Sequence, residues 1–391
     1  VNGCARPGGE HHIFKVFKPH YLDIFHRRTA LIGFAKNKRT AYMKRSKTFA
    51  TVLVSFALMV GVTSCAKVDI QADASDKRDV DARQVMRLGH DDQAYPFLIY
   101  ANADLYNPPK SIERAVVIVH GVQRDADQYF KTGRKLMGNA KLPGERTLLL
   151  APNFLTPQDS GVSDDMPLWP RDRWMHGIES QYGHKGIPAF QVLDDVVRYL
   201  SDRQRFPALK EIVMVSHSAG AQLMQRYAVV NDLEAGLKAH GLTIRYVIAS
   251  PSNYLYVDEN RLQDGAFAPV VSILCPSYNR YRYGIEAAPA YLQMQHLTGR
   301  QLFTRYAARD VTYLVGAQDN NPTSRVLDNS CGANYQGETR LQRQLTYAGY
   351  EGFLSNKWQV PLRHPQYTIP GIGHNAARLF GDKDVARILF P

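Results

Sequence analysis

Three side chains able to carry out acyl transfer stand in this sequence in the surroundings that such chemistry needs. Ser218 lies in Ser216-His217-Ser218-Ala219-Gly220, between an apolar run at residues 212–215 and a helical pattern with Ala221, Leu223, Met224 and Tyr227. A serine held between small residues at a strand-to-helix junction marks a nucleophile elbow, a strained turn that exposes its hydroxyl above a sheet. The usual pattern is Gly-x-Ser-x-Gly, and Ser216 replaces the first glycine. The plainer alternative is a buried strand followed by a turn of small residues. A serine nucleophile needs a base, an acid that orients the base, and donors for the oxyanion. His374, in Pro370-Gly371-Ile372-Gly373-His374-Asn375, is the candidate base. Asp319, just past the apolar run at 311–315, is the candidate acid, with Asp328 as a weaker rival and Asp310 at the wrong end of that run. Residues 117–119 run straight into His120-Gly121-Val122, so the N–H of Val122 and that of Ala219 are the expected oxyanion donors. His120 and His217 are expected to support these loops rather than act as bases.

Elements that alternate between strand and helix must position these groups. Residues 95–101, 115–119, 147–150, 212–215, 245–249, 311–315 and 367–369 read as strands, several of them continuously apolar, as in a sheet buried on both faces. Residues 190–200 have helical spacing, and a final helix is expected over 376–389. Such alternation predicts a mostly parallel α/β sheet with helices on both faces, and ligands bind beyond the carboxyl ends of its strands. Every candidate above falls at such an end. Two insertions, at about 154–189 and 254–306, exceed a minimal sheet and carry Trp169, Trp174 and Tyr254 among other aromatics. As lid-like loops they would wall a substrate cleft, with these three residues as candidate substrate contacts. The alternative is that the rings form small cores of their own.

With His-Gly after an early strand, then the elbow, the acid and the histidine in that order, the chain resembles the α/β-hydrolases over roughly residues 95–391. The resemblance implies a serine hydrolase with Ser218, Asp319 and His374 as its triad and no cofactor. The expected substrate is a small-molecule or polymer ester. A peptidase or amidase on the same scaffold is the alternative, and a non-catalytic binding protein on a retired fold is another. The segments from Cys275 to Gly284 and from Asp328 through Cys331 to Gly337 also resemble a poorly characterised bacterial and fungal hydrolase branch.

The N-terminal part reads differently. Met43-Lys44-Arg45-Ser46-Lys47, an apolar stretch over 49–62 and Val62-Thr63-Ser64-Cys65 resemble a bacterial lipoprotein signal. The resemblance implies lipidation at Cys65 and export to the cell envelope on a membrane tether. The expected division is an upstream leader at 1–42, a signal at 43–64, a tether at 65–90 and the hydrolase domain at 91–391. Residues 1–64 hold 11 of the 48 Lys and Arg but 2 of the 36 Asp and Glu, leaving +3 of the formal +12 on the remainder. The basic excess is therefore no sign of a nucleic-acid partner. Beyond Cys4 and Cys65 only Cys275 and Cys331 remain. In an exported chain an even remainder points to one disulfide, with two buried thiols as the alternative, and the hydrolase-branch resemblance implies the disulfide. Neither Cys-x-x-Cys nor His-Glu-x-x-His occurs, so no metal site is expected.

Overall fold

The computed structural model describes residues 82–391 apart from 272 and 274. The leader, the signal, Cys65 and the tether up to residue 81 lie outside the described residues. An eight-stranded sheet forms the centre. Its strands are β1 (Arg83–Leu88), β2 (Tyr95–Ala101), β3 (Arg114–Val119), β4 (Thr147–Pro152), β5 (Glu211–His217), β6 (Thr243–Ala249), β7 (Asp310–Gly316) and β8 (Gln366–Ile369). They lie in the order β1-β2-β4-β3-β5-β6-β7-β8. β2 runs antiparallel to both β1 and β4, and every other pairing is parallel. β1 falls inside the stretch read as tether. Its Met86 and Leu88 are buried, which commits residues 83–88 to the sheet instead.

The continuous apolar runs follow from burial on both faces. Along β3, Ala115, Val117 and Val119 enter one core, while Val116 and Ile118 enter the other, as the two-residue period of a strand requires. On the second face lie α1 (Ala126–Asn139) and, at the C-terminus, α7 (Ala376–Phe380) and α8 (Lys383–Leu389). On the first face lie α2 (Ala189–Ser201), α3 (Ala219–Val230), α4 (Glu234–Ala239), α5 (Gly299–Ala307) and α6 (Arg340–Trp358). The expected final helix is two, because the Asp382 side chain accepts from the N–H groups of Asp384 and Val385 and starts α8 afresh.

The insertions pack inward rather than over the sheet edge. Trp169 and Trp174 are fully buried, with Trp174 stacked 5.1 Å from Phe154 and Trp169 donating through Nε1 to the Ile178 carbonyl at 2.8 Å. Tyr254 stacks on Tyr347 of α6 at 4.4 Å, and Tyr256 meets Tyr350 at 4.3 Å. Large rings bury more apolar area than a short loop can otherwise supply, and here they join the main core on the first face of the sheet. Cys275 and Cys331 form a disulfide that spans 56 positions and ties the second insertion to the loop after β7.

Candidate active site

The site forms where β3, β5, β7 and β8 end. β5 runs directly into α3, and Ser218 between them has φ 58° and ψ −118°. A side-chain-bearing residue takes such a backbone only where the surroundings impose it. Here the Ser218 N–H donates to the Ala249 carbonyl at the end of β6 at 2.9 Å. Gly220 lets α3 approach β3, since a Cβ there would sit 2.5 Å from the His120 carbonyl and 2.6 Å from that of Val119. Ser216 has its own reason to replace the usual glycine. It is fully buried, and its hydroxyl donates to the Val247 carbonyl of β6 at 2.7 Å.

The loops after β7 and β8 bring the other two groups to Ser218. The Asp319 Oδ2 lies 2.8 Å from His374 Nδ1, and His374 Nε2 lies 2.9 Å from Ser218 Oγ. Burial pushes the Asp319 carboxyl up, but the His374 hydrogen bond and the charges of His374 and Arg340 outweigh it and hold the group below the usual carboxylate range. An ionised Asp319 can only accept, so Nδ1 carries the proton and the Nε2 lone pair faces the serine hydroxyl. The rival acids are elsewhere. Asp328 accepts from Asn253, Arg282 and Tyr283 through Oδ2, and Asp310 opens β7 at its far end.

The two remaining histidines brace the loops. His120 Nε2 accepts the Phe154 N–H at 2.9 Å, so Nδ1 is the donor, to the Gly121 carbonyl at 2.8 Å. Burial pushes His120 down to about 4 and keeps it neutral. The Gly121 carbonyl also accepts from the Arg124 N–H. In a planar trans peptide the N–H points opposite the carbonyl, so these two bonds turn the Val122 N–H the other way. His217 is buried beside the serine, with Nδ1 3.1 Å from the Tyr129 hydroxyl and its ring 4.6 Å from that of His374. Its burial, and then the charges of His374 and Arg340, push it well below its usual range.

Gly121, Val122, Ser218, His374 and Asn375 line a cavity of ≈ 280 Å³, together with Gln123, Asp125 and Val326. Trp169, Trp174 and Tyr254 are not among its walls, nor is any residue of the two insertions. Their expected role as substrate contacts is therefore corrected: they are core residues. Conversely, Val326, Asp125 and Arg340 carry no local signal in the sequence, because each is placed by a loop or by a partner distant in the chain. A larger hollow of ≈ 910 Å³ beside β1, β2 and α1 contains none of these groups. Among the described residues, no three His, Cys, Asp or Glu side chains gather as metal ligands.

No protein-family model matches the chain, and no curated protein matches it. Solved structures do match in fold. Poly(aspartic acid) hydrolase-1 from Sphingomonas sp. KT-1 superposes with a TM-score of 0.54 at 15% identity, covering 79% of this chain and 99% of that one. A poly(3-hydroxybutyrate) depolymerase from Bordetella parapertussis gives 0.54 at 18%, covering 78% and 94%. At such identities the likeness speaks for architecture alone, and the architecture is the α/β-hydrolase fold expected from the order of the motifs.

Proposed function

We propose that this chain is a serine hydrolase that cleaves carboxylic esters through an acyl-enzyme. The observation that carries the reading is the continuous line from Ser218 Oγ through His374 to Asp319, at 2.9 and 2.8 Å, on a strained elbow. His374 Nε2 takes the Ser218 proton as Oγ attacks the ester carbonyl. The negative charge that develops on the carbonyl oxygen is held by the N–H groups of Val122 and Ala219. His374 returns the proton to the leaving alcohol. Water then attacks the acyl-serine, again giving its proton to His374, and the acid departs as Ser218 is restored. Asp319 stays ionised throughout and stabilises the imidazolium. Apart from the ester and water, these steps draw on side chains and backbone groups of the chain.

The substrate is proposed to be a small or polymeric ester. The poly(3-hydroxybutyrate) depolymerase that shares the fold favours this class, since its polymer is ester-linked, and a cavity of ≈ 280 Å³ lies beside Ser218. Export on a lipid at Cys65 is proposed as well. A disulfide supports it, since such bonds persist outside the reducing cytosol. Intact mass of the envelope-derived protein tests this: a mature chain beginning before Cys65 removes the anchor. The enzymatic reading is tested by Ser218→Ala. Loss of at least about 10⁴-fold in kcat on p-nitrophenyl esters, with loss of fluorophosphonate labelling, is expected. Full activity in that variant would overturn it.

A further inference from the structure

The carboxylate of Asp319 has two oxygens, and the steps above use one. Oδ1 faces the guanidinium of Arg340, the first residue of α6, with Nη1 at 3.5 Å. The Arg340 side chain is 1% exposed. Its other arm, Nη2, donates to the Val326 carbonyl at 2.6 Å. Val326 is a wall of the cavity beside Ser218. A buried guanidinium is retained only where its partners hold it, and removing one leaves the others uncompensated. The partners here are the acid that orients His374 and the loop that shapes the cavity. Arg343, one turn further along α6, turns instead to the carbonyls of Ser252 and Asp328 and to Gly337.

We propose that Arg340 is a positioning residue of the acyl-transfer site, acting through Asp319. It fixes the plane of the carboxylate against His374, ties the cavity wall at Val326 to that same carboxylate, and lowers through its charge the hold of Asp319 on the imidazolium. The proposal rests on the serine-hydrolase reading above. Other groups around His374 do not duplicate this charge. His217 from β5 is held neutral by burial and capped by Tyr129 of α1. Asp125, before α1, is a carboxylate on the cavity wall. Arg378 of α7 directs Nη2 to the Gly371 carbonyl. Arg340 is the cation that faces the far side of the acid.

Its removal has a signature that a purely structural arginine would lack. With a neutral side chain at 340, Asp319 holds the proton on His374 more tightly, and the free base is regained only at higher pH. The test follows kcat/KM on a p-nitrophenyl ester, and the rate of fluorophosphonate labelling at Ser218, against pH in the wild type and in Arg340→Met, Arg340→Gln and Arg340→Lys. The acid limb is expected to move up by about 1 pH unit in the Met and Gln variants, the size usual for a neighbouring charge. In the Lys variant it stays at the wild-type position, while kcat falls because one ammonium cannot span both partners. Should the Met variant fail to fold, Gln, which keeps polar contacts to both sides, carries the comparison. Labelled Met or Gln variants with an unmoved acid limb overturn the proposal, as does a Lys variant displaced as far as Met. A wild type that is not labelled at Ser218 is a different result: it overturns the serine-hydrolase reading itself.

Discussion

At the scale of single residues, two aspartates that look alike in sequence part company in space. Asp319 and Asp328 lie in the same loop after β7, yet one meets His374 and the other meets Arg282, Asn253 and Tyr283. Asp319→Asn is expected to lower kcat by about 10³–10⁴-fold, because an amide no longer fixes the imidazole tautomer. Asp328→Asn is expected to leave kcat near the wild-type value and to destabilise by roughly 1–3 kcal/mol through its weakened charged hydrogen bonds. Steady-state kinetics and urea unfolding on both variants check the pair. A second expectation runs against the motif. Ser216→Gly would restore the common elbow pattern, but it deletes the hydroxyl bonded to Val247 and loosens a strand. A loss of about 1–2 kcal/mol with little change in kcat should follow. The serine, the histidine and the preferred acid were legible because each sits in a short turn-forming context at a strand end. Arg340 was not, since an arginine at the head of a helix reads as solvated until its partner, 21 positions upstream, is folded against it.

Among the elements, strand identity was legible and the use of the aromatics was not. Apolar runs such as residues 115–119 admit little besides a strand covered on both faces, and β3 is that strand. Trp169, Trp174 and Tyr254 were equally compatible with a cleft wall or a core. Their partners, Phe154 and the tyrosines of α6, decide the matter only in three dimensions. β1 was hidden for the opposite reason: with Arg83, Gln84 and Arg87 among its six residues it lacks the apolar run that marks the inner strands. The disulfide joins the second insertion to the acid loop. It closes a span of 56 positions, so the paired Cys275→Ser and Cys331→Ser variant is expected to lose about 2–4 kcal/mol of stability in urea. Activity of the folded variant at 25 °C should remain within a few-fold. Asp319 is also held by its N–H to the Gly316 carbonyl and by the Leu341 N–H to its own carbonyl. A collapse of activity without a loss of stability would contradict this division of labour.

For the whole molecule, stability is set to fall as the medium turns acidic, and the cause is buried imidazole rather than carboxylate alone. His120, His176 and His217 are all buried. His120 and His176 each accept from an obligate donor, the Phe154 N–H and the Arg282 guanidinium, and His217 Nδ1 meets the Tyr129 hydroxyl. An imidazolium could not accept the first two bonds. Burial pushes His120 down to about 4 and the other two well below their usual range. In the unfolded chain the same groups protonate near 6.5. Below about pH 6.5 the unfolded state therefore binds up to three protons that the folded state resists, down to about pH 4 for His120, and stability drops as pH falls. Two carboxyls that burial raises, Asp125 and Asp194, oppose this. Burial raises Asp194 to about 6, although the hydroxyls of Tyr291 and Tyr227 donate to it, so below pH 6 the folded state gains a proton that the unfolded chain takes up only near 4. The three imidazoles outweigh the two carboxyls, and a net loss on the order of 3 kcal/mol is expected between pH 7 and pH 5. Urea midpoints at pH 7, 6 and 5 should decline accordingly. Asp194→Asn removes one of the opposing protons, so its loss over the same interval should be larger than that of the wild type by about 1 kcal/mol. A midpoint that holds steady or rises towards pH 5 would mean that one or more of these imidazoles is charged in the fold. Since His120 and His217 flank the serine, the loops around Ser218 would then need a different hydrogen-bond pattern from the one that aims Val122 and His374.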